Sequence, residues 1–147
     1  MNAPFLACML TVAAFYHLPP RVLPSIQVVE GGRIGMVHRN SDGSDDLGLM
    51  QVNDRWVPLL ASYVRLPQPI IRDRLIRSPC FNIATAGAIL RISLNETRGD
   101  LMRAIGDYNS HTPSHNLAYR AKVLRAAERL FGHVDTVAGA PMNQFHR

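Results

Sequence analysis

The chain has 147 residues, of which 47% are apolar and 18% are charged, and its formal net charge is +5. This length fits one domain with a sizeable core, and the ordinary globular composition excludes a low-complexity chain. The excess positive charge attracts polyanions through long-range electrostatics, without specifying which polyanion. Because the arginines and lysines are scattered and form no concentrated stripe, we do not expect a nucleic-acid-binding surface.

Two helices are predicted near the start of the chain. Apolar residues recur at helical spacing between Leu6 and Ala14, and this helix ends before Pro19-Pro20. The stretch is too short to span a bilayer, no Lys or Arg precedes it and no small-residue cleavage site follows it. We therefore interpret it as a structural helix and not as a signal peptide. A second helix is expected to begin at the prolines and to end at Gly31-Gly32, and Pro24 must either lie in its first turn or kink it.

The rest of the chain is also predicted to be helical, apart from one long polar loop. The loop, residues 33–46, is rich in turn-forming residues and is expected to have no secondary structure of its own, which is typical of functional loops. The helices that follow are expected in residues 55–63 and 70–76, in a long stretch from Ile83 to Leu94, after an N-cap at Asp100, and in a last stretch ending at Gly132. We predict one all-α domain over residues 1–132 and a mobile tail over residues 133–147.

The two cysteines leave two interpretations open. Cys8 and Cys80 belong to no CxxC pair and to no His/Cys cluster with zinc spacing, so we expect no metal site. They are either two buried thiols, which pack like small apolar side chains, or one disulfide that joins the first helix to a later one. The residues alone do not decide between the two.

Glu30 is the candidate catalytic residue. It closes the apolar end of the second helix, where the helix dipole is unfavourable to a carboxylate, and partial desolvation would raise its pKa further. A carboxyl group that stays protonated near neutral pH is suited to act as a general acid on a glycosidic oxygen. Taken alone, however, the residue is more simply interpreted as an exposed glutamate at a helix end.

Three segments in a fixed order resemble a known family. They are Glu30-Gly31-Gly32, then Gly48-Leu49-Met50-Gln51-Val52-Asn53 followed by Trp56, and finally Tyr108-Asn109-Ser110 followed by Tyr119. Together with Cys80-Phe81-Asn82-Ile83, they resemble the soluble lytic transglycosylases, a superfamily similar to the goose-type lysozymes. The resemblance extends over roughly residues 8–131, and the Gly-Leu-Met-Gln element is its most specific part.

The resemblance implies a lysozyme-like fold with a long substrate cleft, and peptidoglycan glycan strands as the substrate. Glu30 would protonate the oxygen that joins N-acetylmuramic acid (MurNAc) to N-acetylglucosamine (GlcNAc). The same carboxylate would then take the proton of the muramoyl C6 hydroxyl as that hydroxyl attacks C1. The product would carry a 1,6-anhydromuramoyl end. This reaction consumes no water, requires no cofactor and needs only one carboxyl group, in contrast to most glycosidases.

The resemblance also assigns the other residues of the cleft. The predicted substrate-binding residues are Gly48, Leu49, Met50, Gln51, Asn53, Tyr108, Asn109 and Tyr119. Gly48 would let the backbone approach the sugar, Met50 would form an apolar wall, and Gln51 would offer its amide to an N-acetyl or hydroxyl group. Tyr108 would hydrogen-bond to Glu30 or stack on a sugar. Core packing is the alternative for each of these residues, and for Met50 and Tyr119 taken singly it is equally favoured.

Gly31 departs from the family pattern, and Asp46 adds to it. The residue after the catalytic glutamate is usually serine in the family, whereas here it is Gly31, so a hydroxyl near the carboxylate is missing. Asp46, two residues before Gly48, is a candidate second acid. Within the cleft it would stabilise the positive transition state or orient a water for lysozyme-like hydrolysis. The loop conformation that decides this is not readable from the sequence.

The resemblance further implies a cellular setting. Small family members associated with secretion, pilus or conjugation machines often have cysteines at similar places, which favours a Cys8–Cys80 disulfide and the periplasm. We therefore expect a monomer without a membrane span that acts on glycan strands for such a machine. The alternatives are a hydrolytic lysozyme that uses Glu30 with Asp46, a wall-binding assembly factor that does not cleave, and a nucleic-acid-binding helical protein. The complete set of motifs argues against the last two.

Overall fold

Seven helices and a small sheet form the fold in the computed structural model, which describes residues 3–132. The helices are α1 (Ala3–Phe15), α2 (Val22–Glu30), α3 (Val57–Val64), α4 (Gln68–Arg77), α5 (Pro79–Glu96), α6 (Leu101–Asn109) and α7 (Pro113–Phe131). The strands are β1 (Val37–Arg39), β2 (Asp45–Leu47) and β3 (Val52–Asn53), and a 3-10 turn (Asp54–Trp56) leads into α3. The predominantly α-helical architecture confirms the predicted fold class. The predicted tail, residues 133–147, lies outside the described residues.

The core is built around α5. This helix packs against α1, α4 and α6, while α2 packs against α7. Along α5, Ile83, Ala86 and Leu90 are fully buried, and their spacing of three and four residues places them on one face of the helix. The apolar periodicity in the sequence therefore identified the inward face of the central helix.

Three predicted features of the helix ends are confirmed. Pro24 is the third residue of α2 and so lies in its first turn. The same helix ends at Glu30, because Gly31 adopts a left-handed conformation and its backbone N–H donates to the carbonyl of Gln27. At the start of α6, the Asp100 side chain accepts a hydrogen bond from the backbone N–H of Arg103 at 3.1 Å, as expected of an N-cap.

The prediction that residues 33–46 have no secondary structure is wrong. Strand β1 and most of β2 lie in this segment, and the antiparallel sheet has the order β1-β2-β3. The register pairs Asp46 with His38 on one side and with Asn53 on the other. Because side chains alternate along a strand, Asp45 and Leu47 are buried while Asp46 is only half-buried. The sheet therefore fixes the conformation of the segment that carries Asp46.

A disulfide fastens the first helix to the central helix. Cys8 in α1 is bonded to Cys80 in the first turn of α5, with 5.6 Å between the Cα atoms. This confirms the pairing that the family resemblance implied. Among residues 3–132, no helix combines the length and the apolar character that crossing a bilayer would need.

Candidate active site

A polar cavity of about 260 Å³ opens between the end of α2, the sheet and helices α5 and α6. Six of the predicted site residues line it: Glu30, Asp46, Gln51, Asn53, Tyr108 and Asn109. The lining also includes Trp56 and Ile89. The structure therefore brings together residues from four separate parts of the chain around one space. Within the described residues, no group of three or more His, Cys, Asp or Glu side chains is arranged to hold a metal ion.

Glu30 is the half-buried acid of this cavity. Tyr119 on α7, which is 5% exposed, donates a hydrogen bond to Oε1 of Glu30 at 2.6 Å. Burial is the largest effect and raises the pKa of Glu30 to about 7, against the hydrogen bond from Tyr119, which lowers it. The nearby Asp46 carboxylate raises this pKa further, and Lys122 lowers it. A carboxyl group with this pKa exists in both protonation states at neutral pH, as acid and base catalysis require.

Tyr108 does not make the hydrogen bond to Glu30 that was one of its two expected roles, and Tyr119 makes it instead. Tyr108 donates its hydroxyl hydrogen bond to the backbone carbonyl of Met50 at 2.8 Å, so the bond to Glu30 that was predicted for Tyr108 is made by Tyr119. Burial, reinforced by the charges of Glu30 and Asp46, raises the pKa of Tyr108 well above its ordinary value, so this side chain stays neutral. Gly31 has no side-chain hydroxyl that could hydrogen-bond to Glu30. The Tyr119 hydroxyl makes a hydrogen bond to this carboxyl group instead.

The structure corrects the predicted roles of Gly48, Leu49 and Met50. A Cβ atom on Gly48 would lie 2.2 Å from the carbonyl oxygen of Leu75, so the absence of a side chain lets this backbone pack closely against α4. Leu49 and Met50 are 3% and 0% exposed and belong to the core. None of the three lines the cavity; they support its wall from behind.

Asn82, part of the Cys80-Phe81-Asn82-Ile83 segment, has a supporting role that was not predicted. It is completely buried in α5, where its Oδ1 accepts a hydrogen bond from the backbone N–H of Met50 at 2.8 Å. Its Nδ2 donates to the carbonyls of Leu47 and Leu75, each at 2.8 Å. One amide thus ties the cavity wall to both β2 and α4. The available signal was a polar side chain directly before Ile83, where the apolar spacing of the predicted helix begins.

Side chains of the sheet hold Asp46 in the cavity wall. Asn53 donates from Nδ2 to Oδ1 of Asp46 and to Oγ of Ser44, both at 3.0 Å. Gln51 adopts a left-handed conformation, and its Nε2 donates to the carbonyl of Gly48 at 2.9 Å. One of the two N–H donors of the Gln51 amide is therefore engaged by its own segment. Asp46 is held in the same cavity as the Glu30 carboxyl group.

The family model described as "Transglycosylase SLT domain" matches residues 8–130. The chain therefore belongs to the SLT transglycosylase domain family, and this domain supports a peptidoglycan-cleaving function of the lytic transglycosylase type. Relatives include "Invasion protein IagB" of Salmonella typhimurium, strains SL1344 and LT2, and of Salmonella typhi. Each is 27% identical to this chain over 113 residues, which are 76% of this chain and 67% of the relative.

Proposed function

We propose that this chain is a peptidoglycan lytic transglycosylase. It cleaves the β-1,4 bond between MurNAc and GlcNAc and leaves 1,6-anhydromuramoyl ends. The observation that carries the proposal is the Glu30 carboxyl group, which lies in the cavity of an SLT domain with a pKa raised to about 7 by burial.

In the proposed reaction, Glu30 acts first as an acid and then as a base. Its protonated carboxyl group donates a proton to the bridging oxygen, the bond from this oxygen to C1 breaks, and positive charge develops at C1. The muramoyl C6 oxygen then attacks C1, and its proton passes to the Glu30 carboxylate. This closes the anhydro ring and restores the acid, so every atom of the substrate is found in the two products.

The surroundings of Glu30 support both steps. Because Tyr119 engages Oε1, the Oε2 atom is left to carry the proton that is exchanged with the substrate. The Asp46 carboxylate, held by Asn53, supplies negative charge near the positive centre. The cavity also holds the C6 hydroxyl close to C1 and limits the access of water, which favours intramolecular attack.

We further propose that the protein acts in the periplasm as a monomer, opening the wall locally for an envelope-spanning machine. The Cys8–Cys80 disulfide supports an oxidising compartment. The relatives named as invasion proteins support a role in a specialised machine more than in general wall turnover.

Hydrolysis is the second candidate reaction, and the position of Asp46 favours it. Asp46 lines the same cavity as Glu30, as an aspartate that orients a hydrolytic water would. Digestion of purified peptidoglycan in water labelled with heavy oxygen separates the two reactions. The proposal predicts anhydromuramoyl ends without the label. Reducing ends that contain the label would identify a lysozyme instead, and the Glu30→Gln variant controls for contaminating hydrolases.

A further inference from the structure

A buried hydrogen-bond network joins the end of α6 to the first turns of α7. Its centre is Asn116 on α7, which is 4% exposed. Nδ2 of Asn116 donates to Oδ1 of the buried Asp107 at 2.8 Å and to the backbone carbonyl of Ser110 at 3.2 Å. Its Oδ1 accepts a hydrogen bond from Nε of Arg120 at 2.6 Å. The side-chain amide is therefore held by α6, by the segment that connects the two helices and by α7 itself.

Gly106 lets this amide lie directly against the backbone of α6. A Cβ atom at Gly106 would lie 2.1 Å from Oδ1 and 2.2 Å from Cγ of Asn116, so the amide occupies the space of the missing side chain. Hydrogen bonds require defined distances and angles, and a fully satisfied buried polar network specifies one packing arrangement more strictly than apolar contacts do. We therefore expect α6 and α7 to pack in a single register.

The two helices joined in this way carry both tyrosines of the candidate site. Tyr108 lies in the last turn of α6 and lines the catalytic cavity. Tyr119 follows Asn116 by three residues, so the two side chains share the buried face of α7. Tyr119 donates the 2.6 Å hydrogen bond to Glu30. A displacement of α7 by about 1 Å away from α2 would lengthen this bond beyond the usual range.

We propose that Asn116 is a positioning residue, which fixes α7 against α6 and thereby holds the Tyr119 hydroxyl at the Glu30 carboxyl group. The inference rests on the proposed function and deepens it, because it assigns the orientation of the acid to a side chain that does not line the cavity. Asn116 touches neither Glu30 nor the space for the substrate. Its effect on the reaction must therefore pass through Tyr119.

The chain offers a direct readout, because it contains only three glutamates, Glu30, Glu96 and Glu128. The carboxyl ¹³C NMR signals of glutamate-labelled protein are followed against pH, and the signal of Glu30 is the one that is absent from Glu30→Gln. The Tyr119 hydrogen bond lowers the pKa of Glu30, so Asn116→Ala should raise this pKa, by at most about one unit. In Tyr119→Phe, where the bond is already absent, adding Asn116→Ala should raise it no further.

Ile71→Val on α4 is the matched control for a general loss of stability. Ile71 is fully buried and does not line the catalytic cavity, so this truncation should lower Tm and leave the pKa of Glu30 unchanged. Lys122 on α7 also lowers the pKa of Glu30, but its effect is the smallest of the four. The comparison with Tyr119→Phe therefore reports mainly on the hydrogen bond. Asn116→Ser disturbs the fold less, since it keeps a hydroxyl in the buried space, and should give the same result with a smaller shift.

The positioning role is wrong if Asn116→Ala and Asn116→Ser lower Tm but leave the pKa of Glu30 in place. It is also wrong if they raise this pKa equally with and without the Tyr119 hydroxyl. In either case the two helices hold Tyr119 without the amide, and Asn116 contributes to stability alone.

Digestion of purified peptidoglycan separates a failure of this inference from a failure of the proposed function. We expect kcat of Asn116→Ala to fall by up to about tenfold, because the acid is less well oriented, and Ile71→Val to keep the native value. Native release of anhydromuramoyl fragments with an unchanged pKa and kcat in Asn116→Ala would overturn the positioning role and leave the proposed function standing. No product from the native protein, with a pKa of Glu30 that still responds to Asn116→Ala, would overturn the proposed function and support the link from Asn116 to Glu30.

Discussion

Tyr119 and Glu30, 89 residues apart in the chain, are joined by a hydrogen bond of 2.6 Å between α7 and the last residue of α2. The bond holds one oxygen of the candidate acid in place. It also lowers the pKa of Glu30, against the larger effect of burial, which raises it to about 7. The protonation of the acid is thus set by two opposing effects, and each can be changed separately.

Replacing Tyr119 by phenylalanine should raise the pKa of Glu30 further and disorder its carboxyl group. We expect the alkaline limb of the pH profile to move up by about one unit, since a hydrogen bond to a charged group contributes about 1.5–3 kcal/mol. We expect kcat to fall about tenfold or more because the acid is less well oriented. Tyr108→Phe, which loses the bond to the Met50 carbonyl, is the control and should leave the alkaline limb in place. An unchanged limb in Tyr119→Phe would show that the hydrogen bond does not set the pKa.

The raised pKa of Glu30 also predicts how stability depends on pH. The folded chain holds the proton of Glu30 more tightly than the unfolded chain does, so stability is lost as the pH rises from about 4.5 to about 7. Glu30→Gln, which stays neutral, should therefore be more stable than the native protein at pH 8, by up to about 3 kcal/mol. This gain should shrink towards pH 4. Thermal unfolding at several pH values measures it, and a constant difference would contradict a buried, titrating acid.

Gly48 is predicted to tolerate no side chain. Its φ is +68°, and an added Cβ would lie 2.2 Å from the Leu75 carbonyl and 2.7 Å from Nδ2 of Asn82. We expect Gly48→Ala to cost about 3 kcal/mol or more in the free energy of unfolding. Gly31→Ala is the matched control, because Gly31 has a φ of +65° but no atom within 4 Å of an added Cβ, and it should cost only about 1 kcal/mol. Equal losses of stability for the two variants would show that the left-handed backbone conformation alone, and not the close contact with Leu75, determines the cost.

Arg72 is predicted to stabilise the sheet that carries Asp46. It bonds to Asp45 at 2.8 Å and to Asp54 at 3.3 Å, and the bonds from Arg72 and then Arg39 hold the pKa of Asp45 below its ordinary value. This stabilisation is complete above the ordinary pKa of aspartate and is lost as the pH falls through the lowered value.

We therefore expect Arg72→Met to lower Tm at neutral pH, with the deficit shrinking on acidification. Arg77→Met removes an exposed pair with Asp73 and should change Tm little at any pH. A deficit of the same size at neutral and at acidic pH would contradict the role assigned to the Asp45 ion pairs.

The helices could be predicted from the sequence because their apolar spacing and end signals are local. The sheet could not, because its strands have only two or three residues and too few side chains to show alternation. Strand β2 begins with two aspartates, a composition more typical of a loop, and its pairing with β1 and β3 decides which of them faces the cavity.

The sequence predicted several of the residues that line the candidate site, but not the hydrogen bonds between them. Glu30 and Asp46 do line one cavity. The partners of Tyr108 and Tyr119 depend on how α6 and α7 pack, and spacing along the chain does not report this. Met50 was predicted to bind substrate because it belongs to the Gly-Leu-Met-Gln motif. The motif does not indicate which of its residues are buried in the core, as Met50 is.

Glu30 is proposed to be the one essential acid, and the decisive experiment measures the release of anhydromuramoyl fragments from purified peptidoglycan. The rate is measured by mass spectrometry for the native protein, Glu30→Gln and Asp46→Asn. We expect Glu30→Gln to lose activity by about a hundredfold or more, as removal of a general acid does. We expect Asp46→Asn to lose clearly less, because it removes a nearby negative charge and not the proton donor. Anhydromuramoyl products formed by Glu30→Gln at the native rate would show that another group is the acid.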